Sequence, residues 1–344
     1  MGRVGVAAPP APVHLRLRRA WETTVVSEAV FGRLLGAFVL LVVIASATRL
    51  ADGPVAQTFL LVFTSIVIEA LPFILVGALA SAAIAVFLPE RALDSLSRLP
   101  VALQIPGAAL SGFAFPVCEC GSVPVARRLI ARGVHPGAGI AFMLSSPVLN
   151  PIVLTSTWVA YGGHERGAEM VGGRAGLGLL AACAAGLVIG RTRAGDLLRA
   201  RPGEQGHSHD HADRSAAFSR HLVADFLFMG KFIVLGAALS ALVQTAVPAS
   251  TVSAVGGAPV LAALSLMLVA FVLSLCSEAD AFIAASFTSF SLGAQLAFLV
   301  FGPLADMKLS VLYGATFKRW FLLRLLVATV PLIVVGSLVF EALT

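Results

Sequence analysis

Charge is what this 344-residue chain has least of: Asp, Glu, Lys and Arg make up 12% of it, against about 25% in ordinary globular proteins. Apolar residues make up 58%, and the mean hydropathy is +0.94. So few charges cannot clothe the surface of a soluble globule of this length. Strict alternation of apolar and polar residues is missing too, which excludes an outer-membrane barrel. No G-x-x-x-x-G-K-[ST] run occurs, so ATP is not an expected partner. Four cysteines in a chain of this size do not make a disulfide framework. Aromatic residues are mostly Phe and are not interleaved with basic ones, so the net charge of +6 is no nucleic-acid signal. Arg and Lys sit mainly in short loops and at the amino end, where cytoplasmic segments of membrane proteins carry them.

What is present is long apolar blocks. A crossing of the hydrocarbon layer needs roughly 20 mostly apolar residues, and several blocks meet that. The first, at 34–50, contains Ala45-Ser46-Ala47, which resembles a signal-cleavage site. The stretch before it is far longer than a secretory n-region, so retention as a first membrane helix is expected. Further apolar segments follow at 57–88, 101–117, 137–161, 171–189, 222–247, 259–275, 282–290, 293–312 and 320–340. The stretch 191–220 is charged and holds His207, His209 and His211, a weak transition-metal site or a solvated polar tract. The expected division is 1–56, a cytoplasmic segment with the first crossing, then a repeat at 57–190, a cytoplasmic linker at 191–221 and a second repeat at 222–344.

The repeat is read directly from residues. Phe73-Ile74-Leu75-Val76-Gly77-Ala78 matches Phe232-Ile233-Val234-Leu235-Gly236-Ala237, and Pro89 matches Pro248. Further on, Cys120 aligns with Cys276, Gly137-Ala138 with Gly293-Ala294, Pro147 with Pro303 and Asn150 with Asp306. Charge sets the topology. Arg127, Arg128 and Arg132 remain cytoplasmic only if 101–117 dips into the membrane and turns back near Cys118. Each half then contributes about three crossings and one re-entrant hairpin, and an odd number of crossings inverts the second half. The expected fold is an all-α polytopic membrane protein of two inverted repeats with one extra N-terminal crossing. The expected location is the bacterial inner membrane, with the N-terminus cytoplasmic.

The candidate site follows from this topology. Cys118-Glu119-Cys120-Gly121 and Cys276-Ser277-Glu278-Ala279-Asp280 put polar groups between apolar flanks. They are either polar turns at the membrane surface or non-helical breaks at membrane depth, where ionisable residues default to function. Thiolates are soft ligands, suited to Cu(I), Zn(II) or trivalent arsenic, whereas Cys183, in a run of Ala, reads as a small apolar residue. Helix interruptions at Ser145-Ser146-Pro147 and at Gly302-Pro303 would free carbonyls for an ion or polar solute. Asn150 and Asp306 follow those prolines, and an ordinary proline kink with an interhelical hydrogen bond is the alternative. Glu69 is the candidate proton carrier. Lys231 and Lys308 complete the intramembrane charges, with Lys308 read as snorkelling rather than paired.

The run from Phe115 through Pro124 resembles the predicted-permease family that includes the ArsP-type organoarsenical efflux permeases. Arg132-Gly133-Val134 leading into Gly137-Ala138, and the run from Ala141 to Pro151, strengthen the likeness. The resemblance covers most of the chain after residue 57. It implies an integral inner-membrane permease, with export of trivalent organoarsenicals assigned to one branch. The combined expectation is a secondary transporter that exports a small solute by alternating access, with thiophilic solutes as the candidates and no cofactor. A membrane thiol protein for redox or sulfur transfer, or a passive channel, are the alternatives.

Overall fold

The computed structural model describes residues 54–89, 99–115, 117–199, 214–246 and 258–344. The expected helix at 34–50 and the three linker histidines lie outside the described residues. The fold is helical throughout, and among the described residues the β-type pairing is one isolated bridge between Leu198 and Phe317.

The first half opens with a 34-residue helix, α1 (Pro54–Phe87), followed by α2 (Val101–Ser111) and a 3-10 turn at Gly112–Ala114. Helix α3 (Glu119–Ala131), α4 (Pro136–Leu149), α5 (Pro151–Ala160) and α6 (His164–Ile189) complete it. After the short α7 (Ala194–Leu197), the second half repeats the order of long and short elements. It holds the 33-residue α8 (Arg214–Ala246), α9 (Pro259–Leu273), α10 (Asp280–Ser286), α11 (Leu292–Phe301), α12 (Met307–Thr316) and α13 (Trp320–Leu343).

Five stretches among the described residues are long and apolar enough to cross a membrane: Ala56–Phe87, Pro136–Ala160, His164–Ile189, Arg214–Thr245 and Trp320–Leu343. Three of these candidates lie in the first half, where three crossings are expected. The second has two, because residues 302–306 are not helical and divide the expected segment 293–312 into α11 and α12. Helix α2, at 11 residues, reaches about 16 Å, half of a hydrocarbon layer.

Burial sorts these helices by their surroundings. Leu61 on α1 and Leu323, Val327 and Leu343 on α13 are all at least 65% exposed, an apolar surface of the kind that lipid covers. Helix α4 is the opposite case: Gly137 through Leu149 are all buried. A helix apolar on every side belongs at the centre, and α3, α2 and α6 pack around it. Helices α1 and α8 pack against each other along Phe63, Val67, Val234, Ala237 and Ala241.

Two sequence expectations change here. Residues 164–169 belong to α6, although the expected apolar segment starts only at 171. The turn before them is compressed into Gly162 and Gly163, both at positive φ, where glycine carries no Cβ penalty. Pro147 does not break α4, which continues to Leu149. A proline removes the hydrogen bond to the carbonyl four residues back, here that of Met143. Ser122 Oγ on α3 donates to that carbonyl at 2.9 Å, so the helix passes through Pro147 with its backbone satisfied.

Candidate functional site

Four interruptions of helix lie buried in the interior, and side-chain caps mark two of them. Cys118, in extended conformation, stands at the N-cap of α3 and puts Glu119 in the first turn of that helix, where the helix dipole favours a carboxylate. Asn150 caps α5, its Oδ1 accepting the Ile152 amide at 3.0 Å. Asp306 caps α12 in the same way, its Oδ1 accepting the Leu309 amide at 2.6 Å. The two residues aligned by sequence thus do the same structural job. At the end of α9, Ser274 adopts the left-handed conformation, φ 47°. This turns its carbonyl, and that of Leu275, toward Lys308.

Glycine sets how closely the long helices approach these starts. A Cβ on Gly77 of α1 would strike the Gly121 backbone, and one on Gly236 of α8 would strike the Lys308 backbone. These are the glycines of the Phe-Ile-Leu-Val-Gly-Ala match. Replacing Gly77 by Val forces α1 off α3, and overpacking of this kind costs about 1–3 kcal/mol. The melting temperature of the detergent-solubilised protein should fall accordingly. Gly107→Ala, where a Cβ meets open space, should leave it unchanged or slightly raised.

The electrostatic centre joins the two halves. Lys308 Nζ lies 2.9 Å from Glu119 Oε1 and 3.5 Å from Asp306 Oδ2. It also donates to the carbonyls of Ser274 and Leu275 at 3.1 and 3.2 Å. Glu119 Oε2 accepts from Ser277 Oγ at 3.1 Å. Lysine, glutamate and aspartate are all buried, so Lys308 does not snorkel. It is the cation around which α3, α12 and the end of α9 are assembled.

A second buried pair lies beside it. Arg174 of α6 is fully buried and grips Asp280 with two nitrogens, at 2.9 and 2.7 Å. It also donates to Thr157 Oγ1 at 2.8 Å and to the Ser277 carbonyl at 3.3 Å. Sequence reasoning passed over Arg174. The signal was there, an arginine inside a run of Gly, Ala and Leu, but its partner lies in the other half.

The thiols divide into two groups. Cys118 and Cys120 are both buried and close enough to act on each other's charge. Cys276 Sγ donates to Glu278 Oε2 at 2.8 Å, with Glu119 and Lys308 in electrostatic range. All four cysteines are free, and Cys183 packs near Ile105, Ala109 and Ala141 as a small apolar side chain. Among the described residues no group of three or more His, Cys, Asp or Glu is arranged to hold a metal ion.

Buried polar atoms without a hydrogen-bond partner include Asn150 Nδ2 and Glu278 Oε1. Glu69, half-buried on α1, is close enough to Glu278 to act on its charge. The remaining sequence candidates, Ser145, Gly121, Pro147 and Pro303, make local backbone and packing contacts. Ser145 Oγ donates to the Phe142 carbonyl within α4, Gly121 meets α1, and Pro303 lies in the turn before Asp306.

At the C-terminal end of α3, its arginines act as a clamp. Arg127 donates to the carbonyls of Thr316 and Arg199, Arg128 pairs with buried Asp225 of α8 at 3.0 Å, and Arg132 donates to the carbonyls of Ile84 and Leu88. Ser81 Oγ also donates to Asp225, at 2.6 Å.

Lipid-facing outer helices around broken inner helices and a buried charged centre define a multi-pass membrane protein of the permease class. The chain belongs to the ArsP_1 family, described as predicted permease, which matches residues 55–342. It is 41% identical over 283 residues to the UPF0718 protein YcgR of Bacillus subtilis, covering 80% of this chain and 95% of that protein. It is 34% identical over 283 residues to the "Putative two-component membrane permease complex subunit" of Streptococcus mutans, covering 80% of this chain and 92% of that one. No solved structure matches.

Proposed function

We propose that this permease is a secondary transporter of the inner membrane that exports a small thiophilic solute by alternating access. The observation that carries the reading is the convergence of Cys118, Cys120 and Cys276 with Glu119, Lys308 and Asp306 at helix breaks contributed by both halves. Non-helical backbone at membrane depth is tolerated where it lines a path or is buried in protein. Thiols in that position offer soft ligands to a solute, and Glu278 and Asn150 offer it polar atoms free of other bonds.

The drive is assigned to protons. Four carboxylates, those of Glu119, Glu278, Asp280 and Asp306, face two cations, Lys308 and Arg174. Such a centre favours added positive charge, whether a proton or a cationic solute. Glu69 and Glu278 are the proposed relay. The two halves are read as inverted repeats with re-entrant hairpins at 101–131 and 259–286. The recurring order of long and short helices, the shared capping roles of Asn150 and Asp306, and the paired glycines Gly77 and Gly236 support that reading.

The test is retention of solute by cells lacking arsenical exporters. Trivalent organoarsenicals, zinc and copper are measured with the wild-type chain, Cys120→Ser and Cys276→Ser. Lower retention of one solute, lost in the serine variants at equal membrane abundance, is the expected result. Equal retention of all three solutes with and without the protein would refute thiophilic export. Flux that persists after the proton gradient is collapsed would replace the secondary transporter with a channel.

A further inference from the structure

An open surface recess of about 540 Å³ lies away from the polar centre, where the end of α6, the short α7 and the start of α13 converge. Its walls are Arg191, Thr192, Arg193, Asp196, Trp320 and Arg324. Arg324 stacks over the Trp320 ring at 4.2 Å and donates to Thr192 Oγ1 at 3.2 Å, which holds its guanidinium at the rim of the recess. Three arginines against one aspartate leave the recess cationic. Arginine nitrogens and a threonine hydroxyl are the donors that a phosphate oxygen takes.

The setting distinguishes a lipid headgroup from a free anion. Leu187 and Val188 at the end of α6 are 53% and 44% exposed, and Leu323 and Val327 on α13 are 66% and 65% exposed. The recess therefore opens where the bare apolar surface of two membrane-crossing helices begins. A tryptophan at that level is the usual interfacial anchor. A headgroup seated on the arginines would lay its acyl chains along Leu187, Leu323 and Val327.

We infer that this recess binds the phosphate headgroup of an anionic phospholipid, in the leaflet that faces the 191–221 linker. Basic recesses between membrane helices are suited to such headgroups, each surface cation contributing about a fivefold gain in affinity. The site is independent of the transported solute.

Purified full-length protein is titrated with phosphatidylglycerol or phosphatidylcholine, and bound lipid is counted by native mass spectrometry. The expected result is selective retention of phosphatidylglycerol that weakens on the order of tenfold or more in Arg193→Gln/Arg324→Gln. Arg193→Lys/Arg324→Lys should retain most of it, which separates charge from folding. The control Arg166→Gln/Arg214→Gln removes two exposed arginines elsewhere and should change retention less than twofold. Equal loss in the control pair would mean diffuse surface charge and overturn the site. Equal retention of the two lipids would also overturn it. Displacement of phosphatidylglycerol by inorganic phosphate at matched concentration would reassign the recess to a free anion.

Discussion

Lys308→Met should be among the most damaging single substitutions in this protein. It removes the cation from a buried centre and leaves Glu119 and Asp306, 2% and 1% exposed, facing each other without compensation. The carbonyls of Ser274 and Leu275 lose their donor as well. Breaking a buried pair from one side costs about 3–5 kcal/mol, because the remaining charge has neither partner nor water. The unfolding midpoint of the solubilised protein should drop sharply, and export should be lost with it. Glu119→Gln added to Lys308→Met should recover part of the stability, since one of the two stranded charges is then gone. Stability of Lys308→Met equal to wild type would mean that the centre does not depend on this pair.

Arg174→Met is expected to have a comparable effect by a different route. Arg174 is fully buried and uses a two-nitrogen grip on Asp280 together with bonds to Thr157 and Ser277. It therefore holds α5, α6 and the start of α10 in one register. The same range of about 3–5 kcal/mol applies to the loss of one partner from a buried pair. Arg174→Lys separates charge from geometry: lysine keeps the charge but cannot reproduce the planar fork. It should fall between wild type and Arg174→Met, and the double variant Arg174→Met/Asp280→Asn should be less damaged than Arg174→Met alone. A midpoint for Arg174→Lys that matches wild type would show that charge alone suffices.

These two pairs tie the halves together at the level of the helix breaks. Glu119 of the first half meets Lys308 of the second, and Arg174 of the first meets Asp280 of the second. Any rocking of one half against the other in the proposed transport cycle must open or shift such contacts. The arginine clamp on α3 closes a different level, through Arg127, Arg128 and Arg132. The centre and the clamp share α3, so displacement of that helix bears on both.

Several features were legible in the chain itself because they depend on near neighbours. Apolar blocks announce membrane helices since the cost of placing a charge in hydrocarbon is local to each residue. The polar runs at Cys118–Gly121 and Cys276–Asp280 marked helix starts: Cys118 is non-helical and Glu119 opens α3, and the chain is non-helical across 274–279 before Asp280 opens α10. Asn150 and Asp306 stood in matching register, and both cap helices. The local reading failed at Pro147, because its effect was decided by a hydroxyl from another helix, that of Ser122 on α3.

Sequence by itself determined the class of protein, several of the places where helix stops and the carboxylates and thiols near those stops. Only the tertiary structure decided which charge meets which. Lys308 had Asp306 two residues away and nothing local to indicate Glu119, while Arg174 and Asp280 are separated by 106 residues. Hydropathy and helix capping act over one or two turns of chain and leave their mark in the order of residues. Ion pairing in a low-dielectric interior acts across whichever helices packing brings together, so its partners appear only when the chain has folded.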